Sequence, residues 1–170
     1  MIEKILSKDS CFLTEYLGDI SLIQRDIDKL LSFDKGVSLS NRGGYQSNLI
    51  DFGFNDLTQF LVESLESVNI NCMLNSFWLN INDGKSSNVS HIHESPNFEA
   101  WSAVYYHKVC CDKSTINFHH LVPTIRTNIT SVIPQEKMII FFPGIYPHSV
   151  SSCNSENHQR ISIAFNFEPR

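Results

Sequence analysis

Three histidines in the second half of the chain have the spacing of a metal site. His91 and His93 are separated by one residue, so in extended backbone both side chains project to the same side and can share a ligand. His148 follows an apolar segment and a Pro143-Gly144 turn, at the expected end of a strand. Imidazole nitrogens bind iron, zinc, copper and nickel, so these residue types predict a metal site without selecting the metal.

A polar face on the last strand-like segment offers a second functional group. The segment from Arg160 to Phe167 alternates between apolar residues and the small or polar residues Arg160, Ser162, Ala164 and Asn166. A guanidinium beside a hydroxyl can bind a carboxylate, because its planar fork matches the two oxygens and stays charged. We therefore expect Arg160 and Ser162 to line a cavity and to hold a carboxylate.

Helical and strand patterns indicate how these residues are positioned. One amphipathic pattern runs from Ile20 to Leu31 with Asp19 as its N-cap, and a second begins at Asn55, a favourable N-cap residue, and extends to Val68. From about Cys72 onward the apolar period becomes that of strands. The predicted strands are 77–82, 101–108, 114–119, 125–133, 137–142 and 160–167.

Several short strands after two helices predict a mainly β fold with flanking helices. A jelly roll, with both helices packed on one sheet, satisfies the strand edges and fits the 170 residues. We expect a single domain over residues 1–170, with a helical N-terminal part at 1–71 and a jelly-roll core at 72–170. The segment 35–54, rich in Gly, Ser and Asn, is a candidate for part of the entrance to the site.

The composition excludes several classes of protein. A formal net charge of −5 without a basic cluster argues against nucleic-acid binding. The sequence has no long apolar run and no signal-peptide pattern, so a cytoplasmic protein without membrane partners is expected. Its five cysteines show no CxxC spacing and are predicted to be free thiols. Nothing in the composition indicates an oligomeric state.

Taken in order, these segments resemble the 2-oxoglutarate- and Fe(II)-dependent oxygenases, in particular a bacterial and phage branch related to prolyl hydroxylases. The resemblance is carried by the motifs at 91–93, 102–106, 142–150 and 160–166, and by Ser-Asn-Arg-Gly-Gly-Tyr-Gln-Ser at 40–47. It implies a double-stranded β-helix and an Fe(II) ion held by two histidines and a carboxylate. It also implies that 2-oxoglutarate chelates this metal while its far carboxylate meets an arginine.

The resemblance assigns roles to individual positions. His91 matches the first metal ligand of the family and His148 the last. The positions that match cosubstrate-binding residues, or are candidates for that role, are Arg160, Ser162, Tyr106 and, more loosely, Asn80. The four remaining histidines, His107, His119, His120 and His158, are expected to be structural or exposed.

One position departs from the family pattern, because His93 stands where Asp or Glu is usual. Either His93 coordinates the metal, or the neighbouring Glu94 supplies a carboxylate, or the site has changed its use. Adjacent side chains in an extended segment diverge, which favours His93 over Glu94 as a companion of His91.

The resemblance implies an oxygenase that hydroxylates, or otherwise oxidises, a C–H bond of a small molecule, such as an amino acid or a peptide, with O₂. Two other classes stay open on the residues alone. One is a cupin-like dioxygenase with three histidine ligands that does not use 2-oxoglutarate, in which Arg160 would hold a substrate carboxylate. The other is a metal-binding or metal-free jelly-roll binding module.

Overall fold

Thirteen helices and strands make up the part of the chain that the structure, a computed structural model, describes: residues 11–93, 99–109, 113–121, 127–155 and 158–170. The two helices are α1 (Ile20–Leu31) and α2 (Asn55–Glu66). The strands are β1 (Phe12–Glu15), β2 (Asn41–Arg42), β3 (Tyr45–Gln46), β4 (Cys72–Asp83), β5 (Ser87–His91), β6 (Trp101–Lys108), β7 (Ile116–Leu121), β8 (Thr127–Val132), β9 (Met138–Pro143), β10 (His148–Val150) and β11 (Gln159–Pro169). Each predicted strand overlaps an observed one.

The strands form two antiparallel sheets. The major sheet has six strands in the order β1-β9-β6-β11-β4-β3, and the minor sheet has five in the order β2-β5-β10-β7-β8. Sequence neighbours are mostly separated within each sheet, as in a jelly roll. The predicted fold class, a double-stranded β-helix with flanking helices, is confirmed.

The major sheet has one face toward the helices and the other toward the minor sheet. On β11, Ile163 and Phe165 are fully buried in a core cluster that contains Ile27 of α1 and Leu61 of α2. The intervening Ala164 belongs to a second core cluster, with Phe118 of the minor sheet. The strict alternation in the sequence therefore separates a helix-facing side from an inter-sheet side.

The start of α1 is confirmed, whereas the predicted cap of α2 is wrong. Asp19 caps α1 by accepting a hydrogen bond from the Ser21 backbone N–H at 2.8 Å. At α2 the N-cap residue is Phe54, with φ at 56°, and Asn55 is the first helical residue. The Phe54 N–H donates to buried Asp26 Oδ2 at 2.7 Å, so a carboxylate from α1 fixes this turn in place of a local cap.

The first 71 residues contribute more than helices. The short strands β1, β2 and β3 join both sheets, pairing with β9, β5 and β4 respectively. The proposed division at residue 72 stays a prediction. Neither helix in the described ranges has the length and apolar character needed to cross a membrane.

Candidate active site

Strand pairing brings the three predicted histidines together. His91 on β5 lies directly opposite His148 on β10 in the antiparallel register. His93 follows β5, and its backbone N–H donates to the Gly144 carbonyl at 3.0 Å. One potential ligand atom from each histidine lies within 4.8 Å of the others, and in the described ranges this is the one His, Cys, Asp or Glu cluster with metal-binding spacing. The three side chains can therefore share one ion.

Two of the histidines are oriented by backbone carbonyls. The Nδ1 atom of His91 lies 2.8 Å from the Val89 carbonyl oxygen, and that of His148 lies 2.8 Å from the Tyr146 carbonyl oxygen. A carbonyl oxygen only accepts hydrogen bonds, so each Nδ1 must carry the proton. In the neutral form of each ring, Nε2 then has a lone pair available for a metal.

His93 is oriented by side chains of the major sheet. Its Nδ1 lies 2.8 Å from Ser102 Oγ on β6 and 2.5 Å from Asn166 Oδ1 on β11. The Trp78 ring lies against the imidazole, with ring centroids 5.3 Å apart. Hydrogen bonding of the second nitrogen is the usual way in which a protein orients an imidazole ligand.

Burial keeps two of these imidazoles neutral. Together with the smaller effect of the neighbouring histidines, it lowers the pKa of His148 to about 3 and that of His93 to about 4. Only a neutral imidazole can bind a metal, so both are ready as ligands at neutral pH. Three imidazole nitrogens suit Fe(II), and the donor set of the site fits the ion.

The predicted cosubstrate residues line a small cavity next to the histidines. Arg160 is 1% exposed, and its Nη1 donates to Ser114 Oγ at 2.6 Å. Ser162 lies opposite Tyr106 on β6 and Asn80 on β4. Burial raises the pKa of Tyr106 to about 12, so its hydroxyl remains a hydrogen-bond donor at neutral pH. A buried cation among donors fits an anionic carboxylate.

Several cavity residues escaped the sequence analysis. Asn88 Nδ2 donates to Ser40 Oγ at 3.2 Å, and Asn82 Nδ2 lies 3.4 Å from Asn88 Oδ1. The buried Asn82 Oδ1 has no donor among the described residues. A polar alternation on β4 was visible in the sequence, but the pairing that brings Ser40 and Asn88 to it was not. No sequence pattern indicated that Ser114 would accept a hydrogen bond from Arg160.

The other histidines whose side chains the structure describes lie outside the cluster. His107 Nε2 lies 2.8 Å from Gln24 Oε1, His119 Nε2 lies 2.8 Å from Ser149 Oγ, and His158 is buried elsewhere. Glu94, the side chain of His120, Cys110 and Cys111 lie outside what the structure describes. Cys11, Cys72 and Cys153 are buried and form no disulfide within the described residues, in line with the predicted thiols.

A family model described as "Putative 2OG-Fe(II) oxygenase" matches residues 76–166, which is more than half of the chain. The matched segment contains every predicted metal and cosubstrate position named above. The chain belongs to the 2-oxoglutarate- and Fe(II)-dependent oxygenases. It is an iron-dependent enzyme that uses 2-oxoglutarate as cosubstrate, and this assignment decides against the cupin-like dioxygenase and the binding module.

Solved structures with the same fold include oxygenases of different kinds. A prolyl-4-hydroxylase from Pseudomonas putida is 14% identical, with a TM-score of 0.66 over 96% of this chain and 94% of that one. HygX from Streptomyces hygroscopicus, solved with nickel and 2-oxoglutarate, is 10% identical, with a TM-score of 0.69 over 95% of this chain and 83% of that one. A prolyl hydroxylase from Trichoplax adhaerens, in complex with a peptide, is 15% identical, with a TM-score of 0.64 over 94% of this chain and 84% of that one. A search of curated protein sequences found no match.

Proposed function

We propose that His91, His93 and His148 hold the Fe(II) ion of this oxygenase through their Nε2 atoms. The observation that carries this proposal is the hydrogen bonding of all three Nδ1 atoms, which leaves three lone pairs within one cluster. Three neutral imidazoles leave the full double charge of the ion uncompensated, so the site favours anionic ligands.

We infer that Arg160 anchors the far carboxylate of 2-oxoglutarate. Arg160 lies on the same cavity-facing side of β11 as Ser162, whose cross-strand neighbours are Tyr106 and Asn80. Hydroxyl and amide donors around a buried guanidinium can bind the carboxylate oxygens that the guanidinium does not reach. Ser114 holds the guanidinium in place through Nη1.

The proposed reaction is oxidation, by default hydroxylation, of a C–H bond in a small molecule, with an amino acid or a peptide as the first candidates. When bound, Fe(II) with 2-oxoglutarate and O₂ supplies the oxidant for this chemistry. The chain's own residues bind and orient the reactants. Apolar side chains of the cavity, including Val104 and Ile116, limit the access of water to the reacting atoms.

The solved relatives support this choice of substrate. The Trichoplax enzyme is a prolyl hydroxylase in complex with a peptide, and HygX has also been solved with hygromycin B bound. The same fold thus accepts both a peptide and a small molecule.

Turnover assays with Fe(II), 2-oxoglutarate and O₂ test the proposed reaction. The substrates would be free amino acids and short proline-containing peptides, with succinate and substrate mass measured in parallel. We expect one of them to gain one oxygen atom with an equimolar amount of succinate, and His148→Gln to abolish both. Product formation that does not require added 2-oxoglutarate would contradict the proposal.

A further inference from the structure

We propose that Asn166 is a positioning residue that fixes the tautomer and orientation of His93 through a row of polar side chains across three strands. The inference rests on the proposed function, because it concerns one of the three proposed metal ligands. His93 is also the ligand at the position where the sequence departs from the family pattern.

His93 differs from the other two histidines in what holds its Nδ1 atom. His91 and His148 each use the backbone carbonyl two residues earlier, a local contact that side-chain substitutions leave in place. His93 instead uses Ser102 and Asn166, which come from two strands of the major sheet. Its orientation therefore depends on side chains that are distant in sequence.

The register of the major sheet places these side chains in one row. Asn166 on β11 lies directly opposite Ser102 on β6 on one side and Ser76 on β4 on the other. Ser102 Oγ donates to Asn166 Oδ1 at 3.2 Å, and Asn166 Nδ2 donates to Ser76 Oγ at 3.2 Å. The row Ser76–Asn166–Ser102 holds the amide with its oxygen toward His93.

This orientation dictates the protonation of the imidazole. Asn166 Oδ1 can only accept a hydrogen bond, so the facing Nδ1 of His93 must carry the proton. The lone pair is then on Nε2, the atom that the ion needs. A neutral amide also leaves the imidazole less basic than a carboxylate partner would, because charged acceptors make the stronger hydrogen bond.

Cobalt(II) binding to the purified full chain tests the role of Asn166 without requiring turnover. We expect Asn166→Leu, which removes the acceptor, to lower Co(II) affinity about 10–100-fold, the usual effect of losing a hydrogen bond to a ligating histidine. Asn166→Asp keeps an acceptor and should retain at least the wild-type affinity, with a shifted visible ligand-field band. A purely structural role for Asn166 predicts no such band shift.

An exposed asparagine provides the matched control. Asn75 donates a hydrogen bond to Glu168 at 2.7 Å. Asn75→Leu should leave both the Co(II) affinity and the spectrum unchanged. Wild-type affinity and spectrum in Asn166→Leu would overturn the positioning role alone. Failure of the wild-type chain to bind Co(II) would overturn the metal site, and this inference with it.

Nuclear magnetic resonance of the metal-free wild-type chain tests the same claim if Asn166→Leu fails to fold. Long-range ¹H–¹⁵N correlation distinguishes the two imidazole tautomers, and loss of one signal set in His93→Gln assigns His93. We expect the proton on Nδ1 of His93 at neutral pH. A proton on Nε2 would overturn the inference.

Discussion

Individual histidines in this site are kept neutral by their surroundings, and this has a consequence for stability. Burial lowers the pKa of His93 to about 4 and of His148 to about 3, from the ordinary histidine value of 6.5. In the unfolded chain both imidazoles take up protons near pH 6.5, whereas in the folded chain they do not. The unfolded state therefore gains protons first as pH falls, and the metal-free fold loses stability.

Chemical unfolding of the metal-free protein between pH 7 and pH 5 measures this effect. Two protons bound only by the unfolded state correspond to a slope of at most about 2.7 kcal/mol per pH unit. The variant with both His93→Gln and His148→Gln should show a flatter profile, because other titrating groups are common to both proteins. Identical profiles for the two proteins would contradict the low histidine pKa values.

Among the elements, long regular segments were predictable and short ones were not. The strand Trp101–Lys108 was predicted at its observed bounds, because a run of apolar and aromatic residues of this length is typical of a buried strand. The strands β5 and β10, which place His91 and His148, have five and three residues. So few residues show no usable period, and only pairing with neighbouring strands defines them. Residue type and spacing therefore predicted the histidines, but not the pairing of the strands that brings them together.

The start of α2 shows the same dependence on long-range contacts. The sequence predicted Asn55 as a cap from its residue type, but buried Asp26 holds the turn from another helix. Contacts between side chains that are distant in sequence leave no local sequence pattern. The hydrogen bond from Arg160 to Ser114 was not predicted for the same reason.

Replacing Asp26 should destabilise the junction between the helices. In Asp26→Ala the buried Phe54 N–H loses its acceptor, which costs about 1–3 kcal/mol of unfolding free energy. Asp28→Ala is the matched control, since Asp28 is exposed on the same helix and its carboxylate accepts only from Gln24 Nε2, at 2.8 Å, among the hydrogen bonds described. Urea unfolding compares the two variants. Equal losses in both would contradict the role of Asp26.

For the whole molecule, two sheets of different strand order converge on one site. The minor sheet carries His91 and His148, while the major sheet carries Arg160 and the row that orients His93. Residue types and strand pattern predicted the fold class and a metal site, whereas iron and 2-oxoglutarate were implied by the resemblance to the oxygenase family. The sequence pattern did not predict the side chains that orient the metal and cosubstrate residues, because those contacts depend on the register between strands.

Anaerobic titration with Fe(II) and 2-oxoglutarate tests the central claim most directly, that this histidine cluster and Arg160 bind the metal and its cosubstrate together. Wild-type protein should develop a visible metal-to-ligand charge-transfer band only when both are present. Arg160→Ala should weaken 2-oxoglutarate binding by about 2–5 kcal/mol, the typical loss for one partner of a buried charge pair. Arg25→Ala, at an exposed arginine, should leave 2-oxoglutarate binding unchanged. A wild-type protein without the band, or an Arg160→Ala variant with unchanged affinity, would contradict the account.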